Sequence, residues 1–458
     1  MQIQIPENVG KIIDILISHG YEAYVVGGCV RDSILKKEPM DWDITTSASP
    51  LEIKALFQRT VDTGIKHGTV TVLMGKEAYE VTTYRLDGEY EDHRRPKEVI
   101  FTKNLKEDLK RRDFTINAMA YNEEEGLQDL FHGIDDLNNG VIRCVGVPEE
   151  RFDEDALRIL RAVRFAAQLD FKIDEGTKEA IRTRYQYLKD ISAERIQVEL
   201  TKLLVSNHPE KLLEAKELGI TSVVLPEFDR MVETEQNNPH HCYTVGVHSI
   251  HGVRAIEATP ILRWTMLLHD VAKPLKKKTD EQGIDHFYGH DQEGVEVAKS
   301  ILRRMKLDNH TIDTVCKLIR YHDYRFQYPV TAKKVRVAMN KVGKELFPEL
   351  LKVQRADASA QSDYQKKEKF AILEEVEQRY KEIIEKGQCV TIKELAVNGR
   401  DLIQIGVEPG VFLGQILKEL LELVIEEPEL NQKDMLLQMA EEKLAEKRME
   451  KKEETNRK

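Results

Sequence analysis

Tyr24-Val25-Val26 runs without a break into Gly27-Gly28, and Cys29-Val30-Arg31-Asp32 continues in a pattern suited to a helix. A strand, a glycine turn and a helix in that order point to an α/β domain. They present backbone N–H groups at the start of a helix, where phosphates can approach closely. Arg31, in the first turns, adds charge-assisted contacts to such an anion. Shortly after comes Asp41-Trp42-Asp43-Ile44. Two carboxylates separated by one extended residue project to the same face of a strand. They repel each other unless a hard cation sits between them, and Mg²⁺ uses such a pair together with substrate phosphate oxygens. Two ions held this way activate a hydroxyl nucleophile and stabilise a leaving pyrophosphate.

The rest of the chain sorts by periodicity. Thr69-Val70-Thr71-Val72-Leu73 and Ala78 to Tyr84 are further β-rich runs, punctuated by Gly68 and Gly75. After Val145-Gly146 apolar residues recur at helical spacing instead. The expected fold is an α/β head of mixed sheet and helices over 1–145, followed by a mostly α-helical remainder. That remainder divides into a neck (146–235), a histidine-rich body segment (236–345) and a C-terminal body and tail (346–458), with Pro226 and Asn237 to His241 near a junction. Lys443 to Lys458 is almost wholly charged, as in a solvated helix or tail. The most apolar helical run, Ile261 to Leu268, is short and interrupted by Arg263, and Met1 to Glu7 has no signal-peptide pattern, so no membrane association is expected. Five cysteines without a CxxC pair fit reduced thiols in a cytoplasm. Lys and Arg number 69 against 80 Asp and Glu, a net charge of −11. That balance excludes a general nucleic-acid coat but not a local basic cleft.

GGCVRD followed by DWDITTSA resembles the nucleotidyltransferase superfamily that includes DNA polymerase β. More closely, the first 230 or so residues resemble the bacterial class II tRNA nucleotidyltransferases (CCA-adding enzymes) and poly(A) polymerases. The resemblance implies that Asp41, Asp43 and Glu80 form the Mg²⁺-dependent catalytic centre and that Gly27, Gly28 and Arg31 bind the nucleotide. From the residues alone, Glu80 is equally well a solvent-facing strand residue. Asp108 to Ala118 resembles the family's RRDF segment, in which Arg112 would hold the incoming nucleotide and Asp113 and Asn117 its ribose or their own backbone. The implied substrates are CTP, ATP and the acceptor end of a tRNA, recognised through A-form shape and phosphates.

Arg151 to Phe165 reads as one amphipathic helix, with Asp155 and Arg158 neighbours at i,i+3. Cytosine and adenine each pair an exocyclic amine with a ring-nitrogen acceptor. A carboxylate accepts from the first and a guanidinium donates to the second, whereas guanine and uracil reverse both contacts. The resemblance assigns this reading of the base to the EDxxR motif, Glu154 to Arg158, and adds Arg161 and Arg164 to the nucleotide site. Helical geometry sets Arg164 on the far side from Asp155. Arg85 to Pro96 resembles the flexible loop of CCA-adding members, which disfavours a CC-only enzyme and leaves A-adding-only and poly(A)-adding readings open. Lys393 to Leu402 resembles the start of the tail region in bacterial CCA-adding members, and Arg400-Asp401 reads as a helix start.

His248, His269-Asp270, His290 and His322-Asp323 form a second constellation. Leu267 to Pro274 resembles the HD metal-dependent phosphohydrolases, which implies a Ni²⁺, Mn²⁺ or Fe²⁺ site and leaves phosphate-ester hydrolysis as an alternative main activity. Which of His290, His322 and Asp323 would complete the ligand set stays open at this level.

Overall fold

The computed structural model describes residues 2–88, 90–91, 95–96 and 99–456. Glu89 and Asp92 to Arg94, within the loop segment read from sequence, lie outside the described residues. The chain divides into two compact units, Met1–Arg230 with Ile301–Leu307, and Met231–Ser300 with Asp308–Lys458.

The first unit is built on a seven-stranded mixed sheet. Its order is Gly126–Gln128, Ala120–Asn122, Ala23–Val26, Ile44–Thr46, Glu77–Thr83, Thr69–Met74 and Thr60–Gly64. The runs of β-branched residues read from sequence are strands here. The central strand Ala23–Val26 is buried along its whole length and is antiparallel to both neighbours. Beneath it Tyr24, Val26, Tyr84, Leu105, Leu109, Ala118, Ala120 and Val145 form one buried cluster. Each large apolar side chain removed from water there contributes about 1.5–3 kcal/mol. Helices take over after Val145, as the change of period implied, and the neck helices Leu157–Leu169 and Ala193–Leu204 pack on each other.

The second unit is helical apart from the short hairpin Lys278–Thr279 and Asp285–His286. A separate apolar cluster around Leu402, Leu420, Val424, Leu436 and Ala440 holds its C-terminal helices. Arg400-Asp401 is a helix start: Asn398 accepts hydrogen bonds from the N–H groups of Arg400 and Asp401, and the Asp401 carboxylate accepts from Asn398 N at 2.9 Å. This reciprocal cap satisfies donors that the first turn leaves unpaired. The charged C-terminal stretch is helical within Lys433–Asn456. No helix among the described residues is long and apolar enough to cross a membrane. All five cysteines are free thiols.

Candidate active site

The strand Ala23–Val26 ends at Gly27, whose φ of +83° only glycine adopts without strain, and the helix Gly28–Ile34 begins at the next residue. A Cβ at Gly27 would lie 3.1 Å from Arg112 Nη1, so the turn also makes room for that guanidinium. Gly27→Ala is expected to cost about 1–3 kcal/mol of stability and to displace Arg112, measurable as a lowered melting temperature with weaker nucleotide binding. Arg31 reaches across the turn and donates from Nη1 to Asn117 Oδ1 at 2.6 Å. Asn117 in turn donates to Asp113 Oδ1 at 3.1 Å, and Asp113 Oδ2 accepts from Arg161 Nε at 2.7 Å. One polar chain therefore links the glycine turn, the RRDF segment and the neck helix. Asp113 also accepts from the backbone of its neighbour, Phe114 N, at 2.8 Å. Burial alone would raise the Asp113 carboxyl; Arg161, Asn117 and Arg158 outweigh it and hold the group at about 2.

Arginines crowd this region. The guanidinium groups of Arg31, Arg161 and Arg164 lie 5.1, 5.3 and 3.7 Å from the centre of the Phe165 ring. Their fixed cations suit a polyanionic ligand. Arg164 Nε sits 2.6 Å from Glu199 Oε2, and burial pushes the Arg164 group down to about 10 despite that partner. Arg112 has its Nε buried and without a hydrogen bond among the described residues, while its Nη2 lies 3.5 Å from buried Asp108. Asp108 also accepts from Thr45 Oγ1 at 3.2 Å and Arg111 Nε at 3.0 Å, tying this segment to the sheet.

Asp41-Trp42-Asp43 precedes the strand Ile44–Thr46 instead of lying in it, which corrects the sequence expectation. Asp43 nevertheless stays extended enough for its carbonyl to accept from Val26 N at 3.0 Å. The parallel register pairs Ile44 with Val81, which brings the residues one step earlier, Asp43 and Glu80, side by side on one face. The Asp43 carboxyl is solvent-accessible, yet the protein around it strips part of its hydration and raises its pKa. The Asp41 and Glu80 charges push the same way and Arg112 opposes them. Three carboxylates thus share one electrostatic neighbourhood, the situation that a divalent cation relieves.

The predicted single helix over 151–165 is two: Pro148–Glu154 and Leu157–Leu169, broken at Asp155-Ala156. Asp155 is extended (φ −139°, ψ 101°), so the helical i,i+3 argument for Asp155 and Arg158 does not apply. The break follows from the Asp155 side chain accepting from Leu157 N at 3.1 Å, a local bond that competes with helix continuation. Asp155 Oδ2 accepts from Arg195 Nη2 at 2.7 Å. Arg158 is buried and donates to Glu154 Oε2 at 2.5 Å, Arg151 O at 3.1 Å and Arg111 O at 2.8 Å, which locks its fork beside the RRDF segment.

Among the described residues, two groups of three draw possible metal-ligand atoms within 4.8 Å of one another, both in the second unit: His248, His269 and Asp357, and Asp270, His290 and His322. Asp323 is in neither; it is partly exposed and pairs with Arg325, because it falls beyond the helix whose end His322 caps. Its expected place is taken by Asp357, from Phe347–Ala360. The donor chemistry fits a metal. All four imidazoles point Nδ1 at a backbone carbonyl, those of Ala360, Met266, Phe287 and Ile319 at 2.7–3.3 Å, which leaves every Nε2 for a ligand. His269 Nε2 and both Asp270 oxygens are buried without a hydrogen bond of good geometry, although Lys273 Nζ lies 2.6 Å from Asp270 Oδ2. Burial disfavours a charged His269, but the Asp270 and Asp357 carboxylates beside it outweigh burial and raise its pKa.

Family models match along the chain: a poly A polymerase head domain over residues 23–143, a probable RNA and SrmB-binding site of polymerase A over 170–232, and a putative tRNA nucleotidyltransferase domain 2 over 278–440. The CCA-adding enzyme of Lactiplantibacillus plantarum is 38% identical, with 94% of each chain covered. That of Enterococcus faecalis is 36% identical, with 95% of each covered. The chain belongs to the CCA-adding enzyme family. Among solved structures, the Bacillus stearothermophilus CCA-adding enzyme in complex with CTP matches with a TM-score of 0.71 at 29% identity, covering 96% of this chain and 98% of that one.

In this member of the family, sequence reasoning passed over Glu199, Arg195 and Asp357, and named Asp108 only as the start of the RRDF segment. Glu199 and Arg195 share one neck helix, Ala193–Leu204, whose polar residues facing a buried side were the available signal. Asp357 had none, since an Asp in an Ala-rich helical run is ordinarily solvated.

Proposed function

We propose that this member of the CCA-adding enzyme family completes tRNA 3′ ends with CCA from CTP and ATP, without a nucleic-acid template, in the cytoplasm. The observation that carries the reading is the convergence of the Asp41, Asp43 and Glu80 charges beside Arg112, at the mouth of the Gly27 turn. Asp41 and Asp43, with Glu80, would hold Mg²⁺, which when bound activates the 3′-hydroxyl for attack on the α-phosphate and stabilises departing pyrophosphate. Arg31, Arg112, Arg161 and Arg164 hold the triphosphate in register. Asp113 and Asn117 work through Arg31 and Arg161 and keep their forks in place. Asp155 and Arg158 read the base: the carboxylate accepts from the exocyclic amine of C or A and the guanidinium donates to the ring nitrogen. Arg195 and the three acceptors around Arg158 hold those two groups rigidly, as an edge-reading site requires.

The test uses tRNA transcripts ending before CCA, after C and after CC, each with CTP, ATP or both, sized at single-nucleotide resolution. Stepwise growth that stops at CCA is expected. Extension of the CC-ended transcript alone, or long A tails, would replace the reading with an A-adding or poly(A)-adding enzyme.

A second reading concerns the other unit and rests on its six converging ligands. We infer that His248, His269, Asp270, His290, His322 and Asp357 would hold transition-metal ions such as Mn²⁺, Ni²⁺ or Fe²⁺, which when bound supply an activated water for phosphate-ester hydrolysis. With added Mn²⁺ or Ni²⁺ the protein is expected to hydrolyse 2′,3′-cyclic or simple phosphate esters, and His269→Ala to lose both metal and activity. Equal metal content and hydrolysis in His269→Ala would leave these helices a scaffold.

A further inference from the structure

Beside the six ligands lies a histidine that neither reading uses. The His241 ring packs edge-on against His248, with centroids 4.9 Å apart and planes at 89°. Its Nε2 is 3.5 Å from Lys273 Nζ. Lys273 is itself buried, lies 2.6 Å from Asp270 Oδ2 and donates to Gln236 Oε1 at 2.8 Å. An ammonium group has hydrogens and no lone pair, so His241 Nε2 can only accept from it. The imidazole hydrogen is therefore on Nδ1. That nitrogen is buried and makes no hydrogen bond among the described residues. A buried N–H without an acceptor costs about 1–3 kcal/mol, so its persistence calls for a partner.

The other buried atoms of the cluster without a hydrogen bond of good geometry, His269 Nε2 and the two Asp270 oxygens, are of the kind that a cation satisfies. A cation cannot satisfy an N–H. His241 needs an acceptor, and next to a cationic centre the acceptor of matching chemistry is an anionic oxygen. We propose that His241 donates its Nδ1 hydrogen to a non-bridging phosphoryl oxygen of a phosphate ester bound at this centre, with Lys273 as the positioning residue that fixes its tautomer. The proposal rests on the hydrolytic reading of the six-ligand centre and adds a substrate-contacting residue to it. A donor held in place before the substrate arrives needs no reorganisation as negative charge builds on the phosphoryl oxygens. Such donors are worth about 10²–10³ in kcat.

The test exploits side-chain geometry. An asparagine amide can put an N–H near the position of Nδ1, whereas a glutamine amide reaches the position of Nε2. In the full-length protein loaded with Mn²⁺, His241→Gln is expected to keep the wild-type metal content. It should bind inorganic phosphate at least tenfold more weakly by calorimetry and lower kcat for p-nitrophenyl phosphate about a hundredfold. His241→Asn should recover much of both, and CTP incorporation into tRNA by either variant serves as the check of folding. Wild-type phosphate affinity and turnover in His241→Gln would overturn the donor role alone. Loss of Mn²⁺ from that variant would also overturn it, by showing that His241 acts through the ligands. A wild-type protein that takes up no Mn²⁺ and hydrolyses no ester would overturn the hydrolytic reading and this proposal with it.

Discussion

Asp43→Asn is expected to slow nucleotide addition about 10³-fold while leaving the protein at least as stable as the wild type. The carboxyl of Asp43 is raised in the folded chain by lost hydration and by the Asp41 and Glu80 charges. An acid whose folded pKa is raised stabilises the fold fully only below its unfolded pKa, and that contribution is lost as pH rises through the folded value. At neutral pH the ionised Asp43 is thus a repulsive element, and an isosteric neutral amide removes the repulsion. The same change removes a carboxylate from the centre where charge develops during phosphoryl transfer, a loss of several kcal/mol or about 10³-fold in rate. Steady-state incorporation of CMP and a thermal melt on the same preparation check both halves. Near-wild-type incorporation would remove Asp43 from the catalytic centre, and a large fall in melting temperature would refute the electrostatic account.

Asp155→Asn is the second change expected to act strongly, on selection more than on rate. The amide can still accept from Leu157 N, but its N–H replaces the oxygen that accepts from Arg195, which releases that arginine and offers a donor suited to the carbonyl of uracil or guanine. Rejection of UTP and GTP relative to CTP and ATP should weaken by about 10²-fold. Asp155→Ala combined with Arg158→Ala should relax selection further, and more than it weakens Mg²⁺ binding. That double variant carries a stability cost. Removing Arg158 takes the donor from the Arg111 carbonyl, whereas Glu154 keeps Arg151 and the Arg151 carbonyl keeps Asp155 N; a buried group left unpaired costs about 1–3 kcal/mol. Competition assays with all four nucleotides on a tRNA lacking CCA decide the matter. Unchanged rejection of GTP and UTP in both variants would end the idea that these residues serve as the template.

Several features were legible because they are local. The glycine turn, the strands flanking it and the helix start at Arg400-Asp401 depend on residues within a few positions of one another, where backbone preference and side-chain capping act directly. One failure was also local in origin but was settled by competition. Asp155 breaks a helix that periodicity alone would continue, because its carboxylate captures a backbone N–H two residues on.

By itself, then, the sequence determined the chemical inventory of the head: which carboxylates, arginines and glycines are available, and on which strand–turn–helix they ride. Tertiary structure alone decided which of them meet. Glu80 joins Asp43 only through the parallel register of two strands that are not neighbours in the chain. Glu199 meets Arg164 only where two neck helices pack. Asp357, not Asp323, reaches His248 across 109 residues, with its carboxylate 2.9 Å from Nε2. Propensity and periodicity encode neighbours within a turn or a pleat, whereas convergence of distant side chains is set by how whole elements bury their apolar faces.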